Sequence, residues 1–142
     1  MGKVTLRWVE GKMMTITGSN GHSVVAGPSP DPDYTWVGVK PAEMLLMAAA
    51  SCSAYDVVEI LGKQREPLQD LKVICEGDQD SEPPYKFTRI HMHYIAKGDI
   101  NQDRLERAIQ LSEEKYCSVL ATLRPGVPLS SSFEIINEGF LT

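Results

Sequence analysis

The sequence predicts an α+β fold in the order β-β-β-α-β-β-α-β. Three observations carry this. Short runs with period-two alternation cluster at the start, in the middle and at the end of the chain. Two longer segments carry helical signals, and each helix lies between groups of strands, not between every pair. The 142 residues, 42% hydrophobic and 23% charged, are enough for one globular domain spanning 1–142, and they exclude intrinsic disorder.

Val4, Leu6 and Trp8 alternate with Lys3, Thr5 and Arg7, the pattern of a half-buried strand. Glu10-Gly11 can turn the chain, and Met14 and Ile16 then alternate with threonines. Asn20-Gly21 predicts a two-residue type I′ hairpin turn, because both central positions need positive φ. Residues 22–26 return as the third strand. The segment 27–38 is a loop, since Pro28, Pro30 and Pro32 remove backbone donors. Tyr34 and Trp36 are expected to anchor it on the core.

A helix is expected over about 42–61, with Pro41 at its start and Gly62 past its end. It is apolar nearly all round, which predicts burial on several sides. One sheet from one chain is too little to cover it, so a second copy of the chain is expected as partner. Residues 71–78 and 86–97 read as two further strands. In the second, Ile90, Met92, Tyr94 and Ala96 share one face, and Arg89, His91 and His93 the other. Asn101 suits the N-cap of a single helix over 102–123, with Leu105, Ala108, Ile109, Ser112, Tyr116, Leu120 and Leu123 inward. Residues 129–136 form the last strand.

The formal charge is −5 at neutral pH, which argues against nucleic-acid binding. The start of the chain shows neither a signal peptide nor a myristoylation pattern, and the apolar run 44–50 is far short of a membrane span. A cytoplasmic protein without membrane association is the expectation. No dinucleotide, phosphate-loop, CxxC or HExxH motif is present, so no cofactor is expected. His22, His91 and His93 could make a three-histidine metal site, but a solvated sheet face with Arg89 is the preferred reading.

The three cysteines then become the question. Cys75 lies on a strand face with Leu71 and Val73 and reads as packing. Cys52 shares a helix face with Leu45, Ala48, Ala49, Asp56 and Glu59. Small residues leave room beside its sulfur, while a nearby carboxylate raises a thiol's pKa. A core cysteine and a reactive thiol both remain open on spacing alone, and reactivity asks for a cation from elsewhere. Cys117 falls late in the second expected helix, where the helix dipole disfavours a thiolate. A Cys52–Cys117 bond requires the fold to bring the Cα atoms within about 7 Å.

Residues 41–58 (PAEMLLMAAASCSAYDVV) resemble the first cysteine helix of the OsmC/Ohr family. Residues 114–119 (EKYCSV) resemble its second cysteine segment, and 87–93 (FTRIHMH) match the strand between. The likeness is to the general OsmC-like branch. It implies an OsmC-like fold, an intertwined homodimer whose two central helices are wrapped by sheets of both chains. It also implies a thiol-dependent peroxidase for small organic hydroperoxides, with Cys52 as peroxidatic thiolate and Cys117 as resolving cysteine. An external dithiol, such as a lipoyl protein, would restore the thiols, and Leu45, Leu46 and Met47 would form an apolar substrate wall. The family peroxidases add an arginine from the N-terminal sheet or the loop after it, and a glutamate near the helix start. No arginine lies between Arg7 and Arg65. Glu43 is the matching glutamate, nine residues before Cys52 where those enzymes typically have ten, and nine residues on a regular helix put it half a turn away from the cysteine. The alternative function is an OsmC-fold protein that binds a small apolar or acyl ligand at the dimer interface.

Overall fold

The computed structural model describes residues 2–33 and 36–139. The chain forms two compact units, Met1–Leu45 and Leu46–Thr142. The first holds an antiparallel meander of β1 (Thr5–Glu10), β2 (Met13–Thr17) and β3 (Ser23–Ala26). Leu6 pairs with Ile16 and Trp8 with Met14. The second hairpin forms where expected, but its turn is longer than two residues. Its last rung is Thr17↔Ser23, and the Gly18 N–H reaches the His22 carbonyl at 2.9 Å. Gly21, at φ +86°, takes the left-handed position. Asn20 does not, so the loop is of the longer kind and not type I′.

The expected half-burial of β1 is not met within one chain, because all its residues are exposed. Trp8 is 70% exposed, and its indole N–H donates to the Gly11 carbonyl. Trp36 is 48% exposed with Lys40 Nζ above its ring, so it does not anchor the loop in a core. Tyr34 lies outside the described residues.

Helix α1 (Pro41–Lys63) leads into the second unit. There β4 (Asp70–Gln79) and β5 (Phe87–Lys97) pair antiparallel, and β6 (Leu129–Ile136) lies parallel to β5. The parallel pair follows from the helical crossover between them, a connection long enough to carry the chain back to the same end of the sheet. That crossover contains α2 (Gln102–Leu111), a π-helical turn (Ser112–Tyr116) and α3 (Ser118–Leu123). The single helix expected over 102–123 is therefore interrupted. Asn101 caps α2 by accepting the Arg104 N–H at 3.1 Å.

The core of the second unit joins Ala49, Val57 and Leu61 of α1 to Met92, Tyr94 and Ala96 of β5. Leu105, Ala108 and Ile109 of α2 close it from the crossover. The apolar/polar division expected for β5 is observed residue by residue, with Ile90, Met92, Tyr94 and Ala96 buried. Helix α1 differs from expectation. Only Ala49, Ser53, Val57 and Leu61 are buried, a single stripe with a period of four. Met47, Tyr55 and Val58 remain exposed, because one three-stranded sheet covers one side of a helix. By length and composition the whole helix would suffice to cross a membrane, with a mean hydropathy of 1.5, but its buried stripe is built into this core.

Leu61 is fully buried where α1 meets this core. Leu61→Ala is expected to cost about 2–5 kcal/mol through lost transfer energy and a residual cavity. Urea unfolding should show a lower midpoint at an unchanged slope, and a shift equivalent to under about 0.5 kcal/mol would contradict this packing.

Candidate functional site

Cys52, Ser53 and Asp56 occupy one turn of α1. Ser53 points into the core with no exposed surface, and Cys52 and Asp56 flank it half-buried. The facing wall is the crossover. Its geometry depends on the π-helical turn, in which the Cys117 N–H donates to the Ser112 carbonyl at 2.8 Å. In a regular helix, residues five apart point about 140° away from each other. The wider turn places Ser112 and Cys117 above one another, and both are buried. The extra residue shifts the inward register by one. Tyr116, expected inside, is 53% exposed, and Cys117 takes the inner place.

Cys117 is thus not in the last turns of a long helix. Its extended backbone (φ −75°, ψ 106°) ends the π-turn, and its sulfur caps α3 by accepting the Leu120 N–H at 3.4 Å. The dipole argument changes sign accordingly, since the sulfurs lie at the beginning of a helix and not at its end. Both thiols are free. Cys52 packs against the core cluster that contains Cys117, and Ser118 Oγ lies 4.0 Å from the Cys52 sulfur.

Two opposing effects set the Cys52 thiol. Burial pushes its pKa up, but hydrogen bonds from the Val119 N–H, the Cys117 thiol and the Ser118 hydroxyl outweigh that and bring it below the ordinary thiol value. The Asp56 carboxylate opposes them with a smaller upward push. Cys117 moves the other way. Burial raises it most and its Cys52 neighbour adds to the rise, so it reaches about 11 although the Leu120 N–H pulls downward. The pair is therefore split into one sulfur inclined to ionise and one that keeps its proton. The cation expected from sequence is not what lowers Cys52. Neutral donors at the start of α3 do so, a source that a single helix over 102–123 would not provide.

Behind the sulfurs runs a buried chain of hydroxyls. The Tyr94 hydroxyl contacts Ser53 Oγ, Ser53 Oγ lies 3.0 Å from Ser112 Oγ, and Ser112 Oγ lies 2.9 Å from Asp56 Oδ2. Ser112 Oγ donates toward both Asp56 Oδ2 and Ser53 Oγ, and either Ser53 or Tyr94 can donate in the bond between them. Burial pushes the Tyr94 phenol far up, so it keeps its proton. Sequence reading found Asp56 only as a carboxylate near Cys52, and Ser112 only as an inward position.

The other candidates have partners of their own. Cys75 is half-buried against the core and pairs across the sheet with Met92. Burial raises its thiol, as expected for a packing cysteine. Glu43 is exposed in the first unit, with Oε1 4.0 Å from Lys40 Nζ. His91 and His93 stand on the outer sheet face, where Ser130 and Ser132 engage His91, and Ser132 and Glu134 engage His93. Among the described residues, no group of three His, Cys, Asp or Glu side chains could hold a metal ion.

The family model of OsmC-like proteins matches residues 31–132. Protein YhfA of Escherichia coli K12 is 38% identical over 92% of this chain and 96% of its own. Among solved structures, a hypothetical protein from Aquifex aeolicus VF5 superposes with a TM-score of 0.86 at 33% identity, covering 98% of both chains. A protein from Legionella pneumophila described as an organic hydroperoxide resistance protein OsmC shares the fold at a TM-score of 0.69 and 15% identity, over 94% of this chain and 96% of its own. The α+β architecture, the two cysteine segments in order and these matches agree: the chain belongs to the OsmC-like protein family.

Proposed function

We propose that this protein is a thiol-dependent peroxidase that reduces small organic hydroperoxides, with Cys52 as the attacking thiolate and Cys117 as the resolving thiol. The observation that carries the reading is that Cys52 packs against the cluster holding Cys117, with Ser118 4.0 Å from its sulfur and with one thiol lowered and the other raised. The Legionella neighbour described as a hydroperoxide resistance protein supports the substrate class.

The thiolate attacks the terminal peroxide oxygen. An S–O bond forms, the O–O bond breaks, and the alkoxide leaves to take up a proton as the alcohol. Cys52 is then a sulfenic acid. The Cys117 sulfur attacks it, an S–S bond forms, and the sulfenic oxygen departs as water with the Cys117 proton. An external dithiol, a lipoyl protein being one candidate, reduces the disulfide and becomes one itself. Glu43 completes the proposed set as the carboxylate at the start of the same helix.

The functional unit in this reading is a homodimer. The exposed Met47, Tyr55 and Val58 of α1, and the exposed Leu6 and Trp8 of β1, are apolar surface that a second copy would cover. A sedimentation mass twice the 15.7 kDa of the chain is expected, and a monomer mass at micromolar concentration would reject it.

Substoichiometric cumene hydroperoxide should yield a Cys52–Cys117 disulfide by mass spectrometry. Turnover with a dithiol should disappear in Cys52→Ser, and Cys117→Ser should leave a trappable sulfenic acid on Cys52. The absence of turnover with every dithiol tried, lipoyl ones included, sinks the reading.

The split between the thiols gives a pH prediction. A lowered pKa means that Cys52 ionises first as pH rises, while Cys75 and Cys117 are still protonated. Alkylation at about pH 7 should label Cys52 ahead of both, with Cys117 reacting only in strongly alkaline solution. Labelling of Cys75 or Cys117 first would contradict the arrangement.

A further inference from the structure

Ser112 makes contacts that no step of the proposed reaction uses. Its carbonyl accepts the Cys117 N–H at 2.8 Å, which closes the turn that presents Cys117. Its hydroxyl lies 2.9 Å from Asp56 Oδ2 and 3.0 Å from Ser53 Oγ, both on the helix that carries Cys52. One residue therefore ties the backbone of one cysteine to the helix of the other. Ser112 has no exposed surface, so water is not a substitute partner.

We infer that Ser112, anchored on Asp56, is a positioning residue that holds Cys117 against Cys52 and so sets the rate at which the two sulfurs join. This rests on reading the two cysteines as a redox pair. A π-helical turn is rare and occurs mostly as a single-turn bulge inside a helix, frequently at functional sites. With the hydroxyl tie removed, the turn is free to relax toward regular helix. That relaxation swings Cys117 away from α1 and replaces it by Tyr116.

Asp56 has two separable effects. As acceptor for Ser112 it holds the turn, and as a charge it opposes ionisation of Cys52. Asparagine keeps the acceptor and removes the charge, and alanine removes both. Asp56 also lines a cleft of about 530 Å³ with Glu59, Lys63 and Tyr116, where Lys63 is engaged by Glu59 at 2.8 Å.

The test uses the full chain carrying Cys75→Ala and an aromatic disulfide, dithiobis(nitrobenzoate), as probe. Cys52 thiolate attacks it, forming a mixed disulfide and releasing one thionitrobenzoate. Cys117 then displaces the second thionitrobenzoate, its proton passes to solvent, and the Cys52–Cys117 bond forms. The first phase reads Cys52 reactivity and the second reads sulfur joining, and neither requires peroxidase activity. Ser112→Ala and Asp56→Ala should slow the second phase about tenfold, the scale of one lost hydrogen bond to a charged group. Asp56→Asn should keep the second phase within about twofold of the parent and shift the first phase to lower pH. Should Ser112→Ala fail to fold by circular dichroism, the Asp56→Ala and Asp56→Asn pair makes the same comparison. Equal second-phase rates in parent, Ser112→Ala and Asp56→Ala overturn the inference. Normal phases in a parent that does not reduce hydroperoxide overturn the peroxidase reading alone, and a parent with no second phase overturns both.

Discussion

The hydrogen bond from the Cys117 N–H to the Ser112 carbonyl spans one residue more than a helical bond does, and much of the second unit is arranged by that extra residue. It divides the crossover into α2 and α3, whose buried Leu105, Ala108, Ile109 and Leu120 still meet in one core. It ends the first helical segment in an extended residue, and a new helix must then begin. The backbone donors left at that new beginning are unpaired within α3, and Val119 offers one of them to Cys52. The same shift buries Cys117 and turns Tyr116 out to solvent. Topology, burial and sulfur electrostatics thus share one local cause.

The way Cys52 is ionised has an energetic consequence. A guanidinium beside a thiolate supplies long-range charge and a rigid fork, and it acts even when partly solvated. Neutral donors act only by direct contact, within hydrogen-bonding distance and angle. A thiol tuned in this way depends on the placement of α3 to within fractions of an ångström, and it carries little dependence on salt. Asp56 then fits a consistent role. Its charge slightly opposes the thiolate, but its acceptor oxygen fixes the hydroxyl chain that holds the crossover in place. The geometry gained outweighs the electrostatics lost where donors must be well aimed.

The buried face of β5 was legible because period-two alternation reports on a covered sheet face, whereas the same alternation in β1 faces solvent on both sides within one chain. Ile90, Met92, Tyr94 and Ala96 face the core as their spacing requires. The start of α1 was legible from Pro41, and the packing role of Cys75 from its apolar strand neighbours. The π-turn was not, because helical propensity and capping residues carry no signal for one additional residue. A trace was present, since Leu105, Ala108 and Ile109 lead to Ser112, and the next small buried residue is Cys117 instead of Tyr116. The pairing of Cys52 with Cys117 comes from the family resemblance and not from spacing, because it depends on how α1 meets the crossover and not on either helix alone. The turn between β2 and β3 failed for a local reason, as Asn20-Gly21 is compatible with more than one loop length.

Helix α1 ties these points to assembly. Its inward stripe ends at the β4–β6 sheet, while Tyr55 at 72% exposure and Val58 at 48% stand on the other side. A surface that covers Tyr55 and Val58 gains most by being apolar, since the area it removes from water is apolar. Cys52 imposes a different demand. Burial is already the largest influence on its thiol and acts against ionisation. Further burial by apolar groups would push in that same upward direction, against the neutral donors. In the proposed dimer the covering surface must therefore be divided. It is apolar over Tyr55 and Val58, and it carries donors or a cation over Cys52, the one place on the helix where dry packing and reactivity are in conflict.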